Sequence, residues 1–180
     1  MTLENDSGEA ALQDAEGYVS RALELGATDA VRFGVDDLAF DHRTILKCMF
    51  GCPDWGKGPT CPSRPGSLMP WEYEPLLRRY TWGIIVHSHE KKIAHEASLA
   101  LEREAYLDGY YLAFSLSDCA ACGECVGLAG RPCANPEKAR PAFHSVGIDV
   151  FKTARSFGLP IQPLRDESDQ QNWYAAVFVE

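Results

Sequence analysis

The sequence predicts an α/β or α+β fold in a single domain: a three- to four-stranded sheet flanked by helices, with two cysteine-rich metal-binding loops at its edges. Three observations carry that expectation. Helical and strand periodicities alternate along most of the chain. With 180 residues, 46% apolar and 24% charged, the composition is that of one ordinary globular domain, long enough to bury roughly two thirds of its unfolded surface. All seven cysteines fall in two short stretches, residues 47–66 and 118–136, instead of being scattered along apolar faces.

In chain order, Glu9 to Leu25 places Leu12, Ala15, Val19, Ala22 and Leu23 on one stripe with Gly26 as a stop, which predicts an amphipathic helix. Asp29 to Phe40 alternates imperfectly around Gly34 and Asp36-Asp37, suiting a strand or bent hairpin. Lys47 to Gly66 gathers four of the eleven prolines and four glycines, and reads as a loop whose order must come from its cysteines. A short helix is expected after Pro75, carrying Leu76, Leu77 and Tyr80, and Trp82 to Val86 reads as a buried strand. Ile93, Ala97, Ala100, Leu101 and Ala105 set a helix over Lys91–Leu107, and Tyr110 to Leu116 reads as the next strand, from which the second cysteine segment leaves directly. Asn135-Pro136 has the form of an N-cap and first helical residue, Asp149 to Phe157 is a helix stopped by Gly158 and Pro160, and Trp173 to Val179 is a final buried strand.

The net charge of −9 and the lack of a basic stripe argue against nucleic acid. The acidic N-terminus does not have the form of a signal peptide and the apolar runs are too short to span a bilayer, so a cytoplasmic protein off the membrane is expected. A reducing compartment makes clustered cysteines metal ligands in preference to disulfides. No G-x-S-x-G, phosphate-cradling loop or dinucleotide fingerprint is present, which leaves no basis for a hydrolase or nucleotide-dependent enzyme.

The most specific signal is Cys119-Ala-Ala-Cys122-Gly-Glu-Cys125, followed by Cys133 and Pro136. Three cysteines at this spacing wrap one face of a cubane and ligate three irons, as in bacterial ferredoxins, and Gly123 suits a tight wrap. Zinc is the rival, but the second pair of a zinc knuckle is missing. Cys48, Cys52 and Cys61 match no single motif; three soft ligands in a Gly/Pro-rich loop can hold a second cluster, or lend one ligand to the first. One or two 4Fe-4S clusters are expected, with zinc the alternative. Two cubanes need eight ligands where the chain offers seven cysteines, so one iron would lack a thiolate and take Asp54, a histidine, water or substrate. Cys133 either completes its own run or crosses to the first trio, and the local arrangement, leaving the open iron at the first trio, is slightly favoured.

The segments Cys48-Met-Phe-Gly-Cys52-Pro, Cys61-Pro, the 119–125 run, Arg131-Pro-Cys133-Ala-Asn-Pro136-Glu-Lys-Ala-Arg-Pro141, Val146-Gly-Ile-Asp-Val150-Phe and Gly158-Leu-Pro are similar to an uncharacterised family of predicted cysteine-rich metal-binding proteins of bacteria and archaea. The resemblance runs from about Lys47 onward and takes in no part of the N-terminal helix. It implies metal binding through these same cysteines and names no reaction.

Among the histidines at 42, 87, 89, 95 and 144, His87 and His89 end a strand with one residue between them and can face one way, while His144 follows the second cysteine loop as a cluster neighbour or proton carrier. His95, on the 91–107 helix, is expected to stand apart from both loops. Trp55, Trp71 and Trp82 surround the first loop in sequence, Trp82 as a core residue. Three functions compete: electron transfer to a redox or metalloprotein partner, an enzyme whose open iron binds a small substrate, and a module that senses or delivers metal or clusters.

Overall fold

The computed structural model describes residues 3–166 and 168–180, and of residues 3–12 only the backbone. Five helices, α1 (Leu3–Glu24), α2 (Thr44–Gly51), α3 (Pro70–Leu77), α4 (Lys91–Leu107) and α5 (Val150–Ser156), accompany four strands, β1 (Asp29–Gly34), β2 (Trp82–Ser88), β3 (Phe114–Ser117) and β4 (Trp173–Phe178). The strands form one antiparallel sheet in the order β1-β2-β4-β3, an α+β arrangement. β2 and β3 run the same way with β4 between them, so β2, α4 and β3 make a split crossover. No helix among the described residues is long and apolar enough to cross a membrane.

Alternation divides the central strands between two cores. Trp82, Ile84, Val86, Ala175 and Val177 face α1 and α4, where Ala15, Ala22, Ala94, Ala97, Leu101 and Ala105 leave room for close helix-on-sheet packing. On the other face, Phe33, Ile85, Leu116, Ala176 and Phe178 pack under Phe143, Val146, Ile148, Ala154 and Leu159. The residues around the cysteine loops rest on this second layer. Gly83 sits between Phe33 and Phe178, whose rings meet edge-to-face at 5.2 Å. A Cβ at Gly83 would stand 2.5 Å from the Phe33 ring and 2.2 Å from the Val177 carbonyl oxygen, so no larger residue fits.

Several sequence expectations shift. The first helix begins well before Glu9 and stops where Gly26 takes φ +95°; Ala15, Tyr18 and Ala22 are its buried stripe, Leu23 is exposed, and the side chain of Leu12 lies outside the described residues. β1 is shorter than Asp29–Phe40, because Val35–Asp37 turns into a 3-10 segment and Phe40 pairs separately with Ile148. Residues 47–51 are helical, not loop, since Ile45 and Cys48 pack inward on α2 and the prolines begin only at Pro53. α3 starts at Pro70, before Pro75, where the Met69 N–H donates to the Glu72 carboxylate at 2.7 Å. The strand expected from Tyr110 begins at Phe114, because the preceding residues form the turn leaving α4. Asp149 caps α5 by accepting from Lys152 N, as its sequence signal requires.

Candidate metal centre

The two cysteine segments are built differently and meet. Cys48 is buried on α2, Cys52 ends that helix and is exposed, and Cys61 sits in a chain of tight turns where its N–H donates to Gly58 O and Arg64 N–H donates to Cys61 O. The second segment leaves β3 at Ser117 and returns at Pro141, and the Ser117 N–H donates to Pro141 O at 2.9 Å, clasping the two ends. Glu102 of α4 anchors the same place, accepting from Ser115 N and Oγ at 2.7 and 2.6 Å and from Arg140 Nε at 2.9 Å. The segments touch at Pro59 and Gly127: a Cβ on Gly127 would lie 2.8 Å from Pro59 Cδ and 3.5 Å from Cys125 Sγ.

The result is a cavity of about 370 Å³ whose wall includes Cys48, Cys52, Cys61, Cys119, Cys122, Cys125 and Cys133. None of the seven is in a disulfide. Among the described residues no three Cys, His, Asp or Glu side chains stand as ligands around one metal ion; the thiols ring a space instead of converging on a point. Asn135, read in the sequence as a helix cap, makes no side-chain cap bond; its amide Nδ2 donates to Cys122 Sγ at 3.0 Å. Ser63 Oγ lies 2.8 Å from Cys61 Sγ and also accepts from Gly56 N. Burial, then the neighbouring Cys52, Cys61 and Asp118, pushes the Cys48 thiol up to about 11. A bound cation reverses that preference, because a coordinating thiol is deprotonated outright. Gly123 has no positive φ and open space around it, so the wrap does not depend on its backbone freedom.

Non-cysteine groups share the wall, among them Asp54, Asp118, His144, Lys91 and Trp55. The other histidines are placed elsewhere. His42 lies 2.5 Å from the Glu74 carboxylate and near Trp71, and His87, fully buried, spans Asp29 and Asn172 with its two ring nitrogens. His89 lies beside His87 at 5.1 Å between ring centres, but the ring nitrogens of His87 are both engaged and Nδ1 of His89 bonds Gln171 O, so they do not form a metal pair. His95 is not remote from the loops: it is buried, and Nδ1 lies 2.7 Å from the Ser117 hydroxyl at the clasp. Its Nε2 has no partner among the described residues, and burial lowers its basicity. Asp118, Glu102 and Arg140 carry no motif signal; only the adjacency of Asp118 to Cys119 could have marked it.

An α+β sheet that carries two cysteine segments around one thiol-lined cavity defines a protein with a soft donor set, suited to thiophilic metals. The chain belongs to the family of predicted metal-binding proteins designated DUF2284, whose sequence pattern matches residues 32–179. The match thus begins within β1, upstream of the resemblance seen from Lys47. No curated protein and no solved structure matches the chain.

Proposed function

We propose that this chain is an iron-sulfur protein, holding one or two 4Fe-4S clusters through its two cysteine segments and passing single electrons to a partner protein. The observation that carries the reading is the single cavity with all seven thiols in its wall. Its donor set fits: at about 30 Å³ per water molecule the space equals roughly a dozen waters, more than the four irons and four sulfides of one cubane occupy as atoms. The Asn135 amide on Cys122 Sγ is the kind of hydrogen bond to ligand sulfur that tunes a cluster. A bound cluster supplies one-electron redox chemistry without further catalytic side chains. This chain's residues hold it, cover it with Trp55 and expose Cys52 near the surface. Beside Cys48 and Cys52, the α2 residues Leu46 and Phe50 are 50% and 82% exposed, an apolar surface that suits transient docking of a redox partner.

A second reading, an enzyme with one iron open to substrate, is favoured by Asp54, Asp118 and His144 in the same wall, since these are the non-thiol groups an open iron would face.

Anaerobic purification with iron, sulfide and zinc analysis tests the proposal. Iron and sulfide in equal amounts, about four or eight of each per chain, are expected, with Cys122→Ala losing at least one cluster. Stoichiometric zinc without sulfide, or unchanged iron in Cys122→Ala, overturns it. Reversible reduction unaffected by small ligands supports electron transfer, spectra that shift with them support the open-iron enzyme, and ready loss of metal to an apo-protein supports delivery.

A further inference from the structure

Two clusters call for one ligand more than the seven cysteines supply, and the wall of the thiol cavity holds three oxygen or nitrogen candidates, Asp54, Asp118 and His144. They are not equivalent. Asp54 is exposed, so water satisfies its charge. His144 is half-buried, but an imidazole carries no obligatory charge near neutral pH, and leaving it without a partner costs little. Asp118 is half-buried, and its carboxylate has no hydrogen-bond donor and no ion-pair partner among the described residues. The cations around it are turned elsewhere: Lys91, in the same wall, places its ammonium 5.2 Å from the centre of the Trp173 ring, and Arg140 is engaged by Glu102.

The surroundings of Asp118 tie it to the first trio. The charged groups that act on the Cys48 thiol are Cys52, Cys61 and Asp118, and no cysteine of the second segment is among them. A carboxylate without a cation opposes ionisation of the thiols beside it, and a bound metal relieves that conflict by taking carboxylate and thiolates together. The main chain at Asp118 is set by the fold. Ser117, the residue before it, is registered on Ala175 of β4, donates its N–H to Pro141 O at 2.9 Å and holds His95 Nδ1 at 2.7 Å through its hydroxyl. Cys133 meanwhile stays with its own run, because Asn135, two residues on, donates to Cys122 Sγ at 3.0 Å. Among the described residues no three such groups converge on a single ion, which one zinc requires and a cubane, with one ligand on each of four irons, does not.

We infer that Asp118 is the eighth ligand: with Cys48, Cys52 and Cys61 it completes one set of four, and Cys119, Cys122, Cys125 and Cys133 form the other. The assignment rests on the iron-sulfur reading given above, with two clusters. The two sets meet at consecutive residues, Asp118 and Cys119, and the first set keeps no open position.

The experiment is anaerobic reconstitution of the full chain with iron and sulfide, followed by metal and sulfide analysis, Mössbauer spectroscopy, and EPR after ferricyanide treatment. Wild type should hold about eight irons and eight sulfides, with one iron in oxygen coordination. Asp118→Ala should keep its sulfide and fall to about seven irons. One Fe²⁺ departs, ferricyanide takes one electron from the remainder, and the EPR signal of an oxidised 3Fe-4S centre appears. Asp118→Cys should restore about eight irons, all in sulfur coordination, which a merely structural role would not produce. That variant keeps a donor, so it carries the test if Asp118→Ala does not fold. Full iron in Asp118→Ala, an oxygen-coordinated iron that persists in Asp118→Cys, or the same iron loss in Asp54→Ala or His144→Ala in its place overturns the assignment. So does a wild type with only about four irons, which leaves the iron-sulfur reading intact. Zinc without sulfide refutes that reading instead. Asp118 is then tested by zinc retention against a chelator, which Asp118→Ala should weaken by about tenfold or more and Asp118→Cys should not; equal retention overturns the ligand.

Discussion

Replacing Arg140 by Met tests whether the second cysteine segment is held by the fold or by its metal. In the wild-type chain the Glu102 carboxylate receives Arg140 Nε and Nη2 at 2.9 and 2.5 Å, together with two bonds from Ser115. Removing one partner from a fully buried ion pair costs about 3–5 kcal/mol. Here the side chains keep 13% and 18% exposure and Ser115 still satisfies part of the carboxylate, so the expected loss is about 2 kcal/mol. For a chain of this length that lowers the melting temperature by about 4–8 °C. Thermal unfolding followed by circular dichroism reads it, and Glu102→Gln in the Arg140→Met background should cost less than in the wild type. The pH dependence carries the same signature. Burial alone would raise the Glu102 carboxyl, but the hydrogen bonds from Arg140 and Ser115 outweigh it and hold the group below the ordinary range. A carboxyl depressed in the folded state contributes stability that is present above its unfolded pKa of about 4.3 and is lost as pH falls through the lower folded value. Arg140→Met should therefore gain less stability than wild type between acid and neutral pH. A change below about 0.5 kcal/mol, with an unaltered pH profile, would refute the anchor.

On the iron-sulfur proposal, Asn135→Ala removes an amide donor from a cluster ligand, Cys122 Sγ; a hydrogen bond worth about 0.5–1.5 kcal/mol in favour of the more negative reduced state then corresponds to a reduction potential lower by roughly 20–60 mV, read by voltammetry, and an unchanged potential would refute the role of Asn135. Gly127→Ala drives a methyl to within 2.8 Å of Pro59, so the two cysteine segments must part and metal per chain should fall while the circular dichroism of the sheet is kept; full loading would show that the contact is dispensable. Gly83→Ala should destabilise by about 3 kcal/mol or more, since its neighbours are a main-chain oxygen and a wedged Phe33 ring; denaturant titration checks it, and a neutral result would mean the β1–β2–β4 packing is looser than described.

The elements read correctly from sequence are those whose pattern is dictated by burial over many residues. α4 has the expected bounds because its apolar residues repeat without a breaker, and β2 and β4 are apolar runs with both faces covered. α2 escaped notice because its inward positions include a cysteine, and the proline-rich turns just beyond it dominated the composition of residues 47–66. α3 is signalled by Pro70 and Glu72 in its first turn, and it runs through Pro75, which the short helix tolerates although proline ordinarily marks a helix boundary. At the candidate centre, the grouping of the cysteines was legible because they cluster in sequence. What binds them into one wall was not: Glu102 and Arg140 are 38 positions apart, and Asn135 looks like a cap until the fold brings it to Cys122.

The bond from Ser117 to Pro141 has a consequence for how the protein is supplied with metal. Because the two ends of the second segment are already together, and β3 is registered on β4 independently, the entropy of closing that loop is met by the protein scaffold before any ligand arrives. The sheet and its two apolar cores contain none of the seven thiols except that of Cys48 at their margin. Metal loss is then expected to loosen the second segment and leave its frame standing, unlike small zinc domains that unfold when stripped. A cell can thus make this chain first and fill it afterwards, with the donor meeting a finished recipient.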